Sequence, residues 1–240
     1  MNYYLDTEFL EGTQKKSFLG INYGDTKPTI DLISIGIVSE DNRKYYAISK
    51  DFNLKEAWNR YDLKLPEEIG DEPIKVYWIR ENILSPIYTQ YISSDMRNVF
   101  DFSYSTMKWI LKIYGKSNKQ IAEEVKEFVG FPDYEYQPKT SIGRSIEKDY
   151  PEFYVYYGDY DWVVFCWLFG KMIDLPNGFP YYAKDIKQLI DSKSWEYRGV
   201  NYEGKDLKRL PNYPKQTNEH NALLDAIFNK ELYKFLQILK

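Results

Sequence analysis

Apolar residues crowd the start of the chain at Tyr3, Tyr4, Leu5 and Phe9, and the polar trio Asp6-Thr7-Glu8 interrupts them. Aromatic and branched side chains at this density suit a pleated backbone, so residues 2 to 9 read as a strand. Thr13 to Lys27 carries Gly20, Gly24 and Asp25 and reads as a hairpin loop. Thr29 to Val38 places apolar residues on alternate positions and predicts a second strand, Glu40-Asp41-Asn42 predicts a turn, and Arg43 to Ser49 predicts a third strand. Short connections between these strands imply an antiparallel meander at the start of a sheet.

From Asp51 to about Tyr114 neither the helical nor the strand period holds, and the segment reads as helical pieces and loops covering one end of the sheet. Ser117 to Gln120 then opens a helix whose apolar positions are Ile121, Val125, Phe128 and Val129, stopped by Gly130. Glu152 to Tyr157 reads as a short buried strand broken at Gly158, and Asp159-Tyr160-Asp161-Trp162 leads into a helix running to about Met172. A short helix is expected over Asp185 to Asp191. The last element, from about Asn218 to Leu239, has the apolar stripe Leu223, Leu224, Ile227, Leu232, Phe235, Leu236 and Leu239. This order describes an α/β chain, with a mixed central sheet of three antiparallel strands then parallel ones, flanked by helices on both faces.

Length bounds the picture at one ordinary domain, or one domain with an insertion, since 240 residues bury a proper core without needing a second one. A single cysteine, Cys166, excludes an intrachain disulfide and suits a reducing cytoplasm. No signal-peptide pattern opens the chain, and the longest apolar run, Trp162 to Gly170, is far below the ~20 residues that span a bilayer, so a cytoplasmic protein with no membrane partner is expected. The net charge of −4 excludes a generally basic nucleic-acid coat but leaves room for a local positive field. Between Ala183 and Gln216 eight Lys or Arg face five Asp or Glu, a locally basic stretch in a chain that is negative as a whole.

Three acidic features change this picture. Asp6 and Glu8 share one face of their strand, roughly 6.6 Å apart along it. Two such carboxylates either edge a sheet that meets water or flank a divalent cation that cancels their repulsion. Asp159 and Asp161 stand at a strand-to-helix junction, where acids are also favoured as caps. They cannot both cap, and the one entering the first turn can look back across the sheet. His220, the only histidine, precedes Asp225 by five residues near the start of the last helix. A lone histidine is often a bystander, and here it would hang on a capping segment while Asp225 points to the sheet.

Asp6-x-Glu8, Tyr160-Asp161 after a strand, and His220-x4-Asp225 on a late helix resemble, in that order, the three motifs of the DEDDh exonuclease superfamily, the RNase T-like 3′–5′ exonucleases. Asp6-Thr7-Glu8-Phe9, Leu32-Ile33-Ser34-Ile35-Gly36, Tyr157 to Trp162, Leu168 to Pro176 and Glu219 to Ala226 are similar to the small bacterial 3′–5′ exoribonuclease branch first described in mycobacteria. The likeness spans residues 2 to 50 and about 110 to 239 and fails over roughly 86–107, which reads as an insertion. Gly158 stands where many relatives carry a small residue or Asn. Asp159 and Asp161 compete for one ligand position, and the Tyr-Asp context assigns it to Asp161.

The resemblance implies a ribonuclease H-like fold and a metal-dependent 3′–5′ exonuclease acting on the 3′ ends of RNA, or of single-stranded DNA, with a nucleoside monophosphate as product. Asp6, Glu8, Asp161 and Asp225 would hold two ions, Mg²⁺ or Mn²⁺, because the donors are all oxygen. His220 would be the general base. Phe9 and Leu10 match positions that meet the terminal nucleoside, and Asn221 neighbours the histidine. Arg80, and the tract of Lys205, Lys208 and Arg209, could offer charge to the phosphate backbone, although a solvated face is the commoner account of each. Relatives of this kind are often homodimers. A nucleic-acid-binding module without turnover, and a phosphodiesterase acting on short or cyclic oligonucleotides, are the alternative functions.

Overall fold

The structure is a computed structural model that describes residues 1–19, 21–65, 72–130, 150–192, 194–197, 199–217 and 219–239. The chain begins with β1 (Asn2–Gly12), an excursion hairpin β2 (Lys15–Phe18) and β3 (Ile21–Asp25), then β4 (Thr29–Ser39) and β5 (Lys44–Ile48). Helix α1 (Leu54–Asn59), a hairpin of β6 (Asp62–Lys64) and β7 (Ile74–Val76), a π-helical turn at Arg80–Leu84, α2 (Ser85–Tyr91), α3 (Tyr104–Tyr114) and α4 (Asn118–Val129) follow. The second half contains β8 (Glu152–Val155), α5 (Asp159–Phe169), β9 (Lys184–Asp185), α6 (Ile186–Asp191), a hairpin of β10 (Ser194–Tyr197) and β11 (Val200–Glu203), and α7 (Ala222–Ile238).

Among the described residues five strands form one mixed sheet in the order β5-β4-β1-β8-β9. β1 runs antiparallel to β4 and parallel to β8, so the strand carrying Asp6 and Glu8 is the central one. Side chains alternate across it. Tyr3 and Leu5 pack with Phe153, Trp162 and Phe165 under α4 and α5, whereas Tyr4 packs with Tyr154, Leu232 and Phe235 under α6 and α7. Asp6 and Glu8 continue the Tyr4 series and therefore face α7.

Coverage on both faces explains a departure from the expected alternation in β4. From Leu32 to Ser39 every residue is buried, because neither face of this strand meets water. The register of β1 against β4 shifts between Glu8 and Phe9, leaving Ile33 without a partner on β1. Such an irregularity kinks the pair next to the carboxylates and re-aims Phe9.

Several boundaries also moved. The segment expected as a loop at Thr13 to Lys27 is itself a short hairpin. The strand expected to reach Tyr157 ends at Val155, and Tyr157 adopts a positive φ of 56°. α5 stops at Phe169 rather than near Met172, because Gly170 takes a φ of 116° that ends the helical turn. α7 starts at Ala222, four residues after the expected Asn218; Asn218, with Lys193 and Arg198 of the basic stretch, lies outside the described residues. The irregular segment after Asp51 does close one end of the sheet, building a core in which Leu10, Ile33 and Ile48 meet Ile83, Leu84, Ile87, Met107 and Ile110.

Candidate active site

β8 pairs with β1 only as far as Tyr4, so the edge of β1 beyond that point is uncovered. Asp161, in the first turn of α5, fills the gap: its Oδ1 accepts from the Thr7 backbone N–H at 2.7 Å and from Thr7 Oγ1 at 2.6 Å. On the other side, α7 crosses β4 directly over Gly36, the residue that pairs with Asp6. A Cβ at Gly36 would collide with the carbonyl of Ala222, so glycine is what lets the first turn of α7 reach the sheet. Asn221 caps that turn through its Oδ1, which accepts from Leu224 N–H at 3.2 Å. Asn229 Nδ2 donates to Leu5 O at 3.1 Å, and the buried Lys230 ammonium donates to Ser39 O at 2.7 Å and Glu40 O at 2.9 Å, which fixes the rest of the helix.

With the helix held there, one oxygen each from Asp6, Glu8 and Asp225 lie within 4.8 Å of one another. Asp161 stands beside this trio and His220 at its rim, and all five line one cleft of about 230 Å³. Thr7, Phe9, Tyr156, Gln216, Phe228 and Asn229 complete its walls. A larger cleft of about 470 Å³ runs along the outer face of α7 and includes none of the five.

The electrostatics are those of anions crowded away from water. The Asp6 carboxyl is pushed well above its usual range, first by burial and then by Asp161, Glu8 and Asp225. Burial, with Asp225 and Asp161 behind it, lifts Glu8 to about 8. Burial also raises Asp161, to about 6, against the lowering effect of the Thr7 hydrogen bonds. Asp225 is raised by burial despite the bonds it accepts from Gln216 Nε2 at 2.6 Å and His220 N–H at 2.9 Å. Each shift says that the ionised form lacks a compensating positive charge. An all-oxygen set with this need fits a hard divalent cation such as Mg²⁺ or Mn²⁺. The Cys166 thiol, the soft ligand that would favour zinc, is buried in the core beneath α5.

Asp159 and Asp161 differ in direction: Asp159 is exposed on the outside of α5, and Asp161 is buried and lines the cleft. His220 precedes α7 with a positive φ of 67° and rests against Trp78, with ring centroids 4.8 Å apart. Phe9 lines the cleft and meets Tyr160 edge-on at 5.8 Å. Leu10 is fully buried in the core under Ile33, so only its backbone is available to a ligand. Asn221 spends its side chain on the cap and on Gln90, whose Oε1 accepts at 3.2 Å. Arg80 lies over the ring of Tyr77 at 3.6 Å, near the cleft but not lining it. Of the basic tract, Arg209 pairs with Asp206 at 3.1 Å and Lys208 is exposed; the Lys205 side chain lies outside the described part.

Thr7, Gln216 and Tyr156 were not anticipated as site residues. Thr7 sits between the two carboxylates, and the short side of the sheet that makes it the partner of Asp161 has no local signal. Gln216 precedes Asp225 by nine residues in an irregular stretch, where no spacing rule connects them.

Four carboxylates in a cleft of the mixed sheet, with one histidine at the rim, make a site that could hold a divalent cation. No family model matches the chain. The chain is similar to two proteins of Mycobacterium tuberculosis, 3′-5′ exoribonuclease Rv2179c of strain H37Rv and 3′-5′ exoribonuclease MT2234.1 of strain CDC 1551. Each is 28% identical over 226 residues, which cover 94% of this chain and 87% of the relative.

Proposed function

We propose that the chain is a metal-dependent 3′–5′ exoribonuclease that hydrolyses terminal phosphodiester bonds in the carboxylate cleft. The observation that carries this reading is the convergence of Asp6, Glu8 and Asp225 oxygens within 4.8 Å, in a chain similar along 94% of its length to exoribonucleases. The strand order, with the acidic strand at the centre, supports a ribonuclease H-like fold. The chain reads as a single domain, with 86–107 as an insertion that builds the core at one end of the sheet.

In this reading Asp6, Glu8, Asp161 and Asp225 hold two divalent cations, Mg²⁺ or Mn²⁺. When bound, such ions neutralise phosphoryl charge and make a nucleophile of water near neutral pH. Thr7 fixes the Asp161 carboxylate, and Gln216 and the His220 N–H fix that of Asp225, so that both are oriented before ligand arrives. His220, free of the helix and half-buried at the rim, takes the proton of the attacking water as general base. Phe9 offers its ring, and Leu10 its backbone, to the terminal nucleoside.

The test is a gel time course on 5′-labelled single- and double-stranded RNA and DNA with Mg²⁺, Mn²⁺ or EDTA. Stepwise shortening of RNA from the 3′ end that EDTA abolishes is the expected result. Failure to cut any of these substrates with either metal overturns the reading.

A further inference from the structure

A second cleft, of about 440 Å³, adjoins the first: Phe9 lines both, and Trp78, which touches His220, lines the second together with Arg60, Asp62 and Ile79. Asp62 of β6, with Trp78 and Ile79 just after β7, brings the paired strands β6 and β7 beside it. There the rings of Tyr61 and Tyr77 lie 5.7 Å apart, Lys75 Nζ sits 4.4 Å above Tyr61, and the Arg80 guanidinium sits 3.6 Å above Tyr77. Tyr61 and Trp78 are each more than two-fifths exposed, although Tyr61 packs on Tyr77 and Trp78 on His220.

Among the described residues neither Lys75 nor Arg80 forms an ion pair, and each lies over a tyrosine ring. Arg60 is spent on Glu56 and on the Thr13 carbonyl. Glu11 and Asp62 also line the cleft, and Lys75 and Arg80 stand over Tyr61 and Tyr77 outside its lining. Exposed rings interleaved with cations are what a single-stranded nucleic acid requires, because bases stack on the rings and phosphates meet the cations without sequence readout.

The geometry points to this surface as a track for the single strand leading to the cleft: Trp78 and Tyr61 stack the bases that precede the 3′-terminal nucleotide, and Lys75 and Arg80 hold their phosphates. The inference rests on the exoribonuclease reading and adds to it a substrate class, single-stranded RNA several nucleotides long rather than a dinucleotide or a cyclic one.

The test compares the wild type with the Tyr61→Ala/Lys75→Ala double variant. It measures kcat/KM on an RNA dinucleotide, tetranucleotide and octanucleotide, and the anisotropy of the 5′-fluorescein octanucleotide in EDTA. The wild type should gain about tenfold or more in kcat/KM from the shortest to the longest substrate, and the double variant should lose most of that gain and bind the octanucleotide about tenfold more weakly. A length gain that is absent in the wild type, or kept by the variant, overturns the track. Binding that depends on both residues without hydrolysis of any substrate would support the track while removing the exoribonuclease reading, and absence of both binding and hydrolysis removes both.

Discussion

Gly36 and Ala222 touch backbone to backbone where α7 crosses the sheet, with no room for a Cβ between them. Because Gly36 pairs with Asp6 and Ala222 begins the helix that carries Asp225, this one contact sets how closely the two carboxylates approach. Gly36→Ala should push the first turn of α7 outward. A misplacement of about 1 Å costs on the order of 10²-fold in rate, so kcat should fall by about that factor while far-UV circular dichroism shows the helix content retained. A variant with normal kcat would separate the helix position from the chemistry.

Thr7 holds Asp161 with two donors, and Thr7→Val removes only the hydroxyl. Loss of a group that orients a metal ligand typically costs about 10- to 100-fold in metal affinity. Titration calorimetry with Mn²⁺ should show a weakening in that range, with thermal stability changed little. Unchanged affinity would mean that Asp161 is not a ligand.

Asp161→Asn should remove metal-dependent turnover, and Asp159→Asn should leave it within about twofold, because Asp159 is exposed outside the cleft. A fluorogenic RNA assay of the two variants side by side decides between them. The reverse order would hand the ligand role to Asp159.

Glu8 holds its proton to about pH 8 against an ordinary 4.5, and Asp161 to about 6 against 3.8. Both folded-state values are raised, so between these limits the folded chain binds more protons than the unfolded one. Stability without metal should therefore be greatest on the acid side and fall as pH rises from about 4 through about 8. A divalent cation replaces those protons, so the rise in Tm on adding Mg²⁺ should be larger at about pH 8 than at about pH 5. Thermal melts with and without Mg²⁺ at the two values test the sign; an equal or larger shift at the acid end contradicts it.

His220→Ala should reduce kcat by about 10²- to 10⁴-fold and keep the metal-induced rise in Tm, since the bond to Asp225 comes from its backbone N–H. Loss of the Tm shift along with the rate would instead make the histidine part of the metal site.

Much of this was legible in the chain itself. Strands β1 and β4 announce themselves by apolar density and α4 by its Ser117 cap and Gly130 stop, while Asp6, Glu8, His220 and Asp225 stand out through the resemblance to the exonuclease motifs. What was not legible depends on contacts distant in sequence. β9 is two residues long and exists only because Lys184 and Asp185 dock on β8, so no periodicity can reveal it. Thr7 and Asp161 are 154 residues apart, and their bond follows from where β8 stops. Leu10 follows a cleft residue in sequence yet points into the core, because alternation and the irregularity at Glu8 and Phe9 decide its direction.

Wild type and Asp6→Asn, incubated side by side with 5′-labelled single-stranded RNA and Mg²⁺, put the whole reading at risk in one gel. The wild type should yield a ladder that shortens from the 3′ end and release nucleoside monophosphate, and Asp6→Asn should leave the RNA at full length. Near-normal shortening by Asp6→Asn, or internal fragments from the wild type, would contradict a carboxylate-held metal site that trims RNA ends.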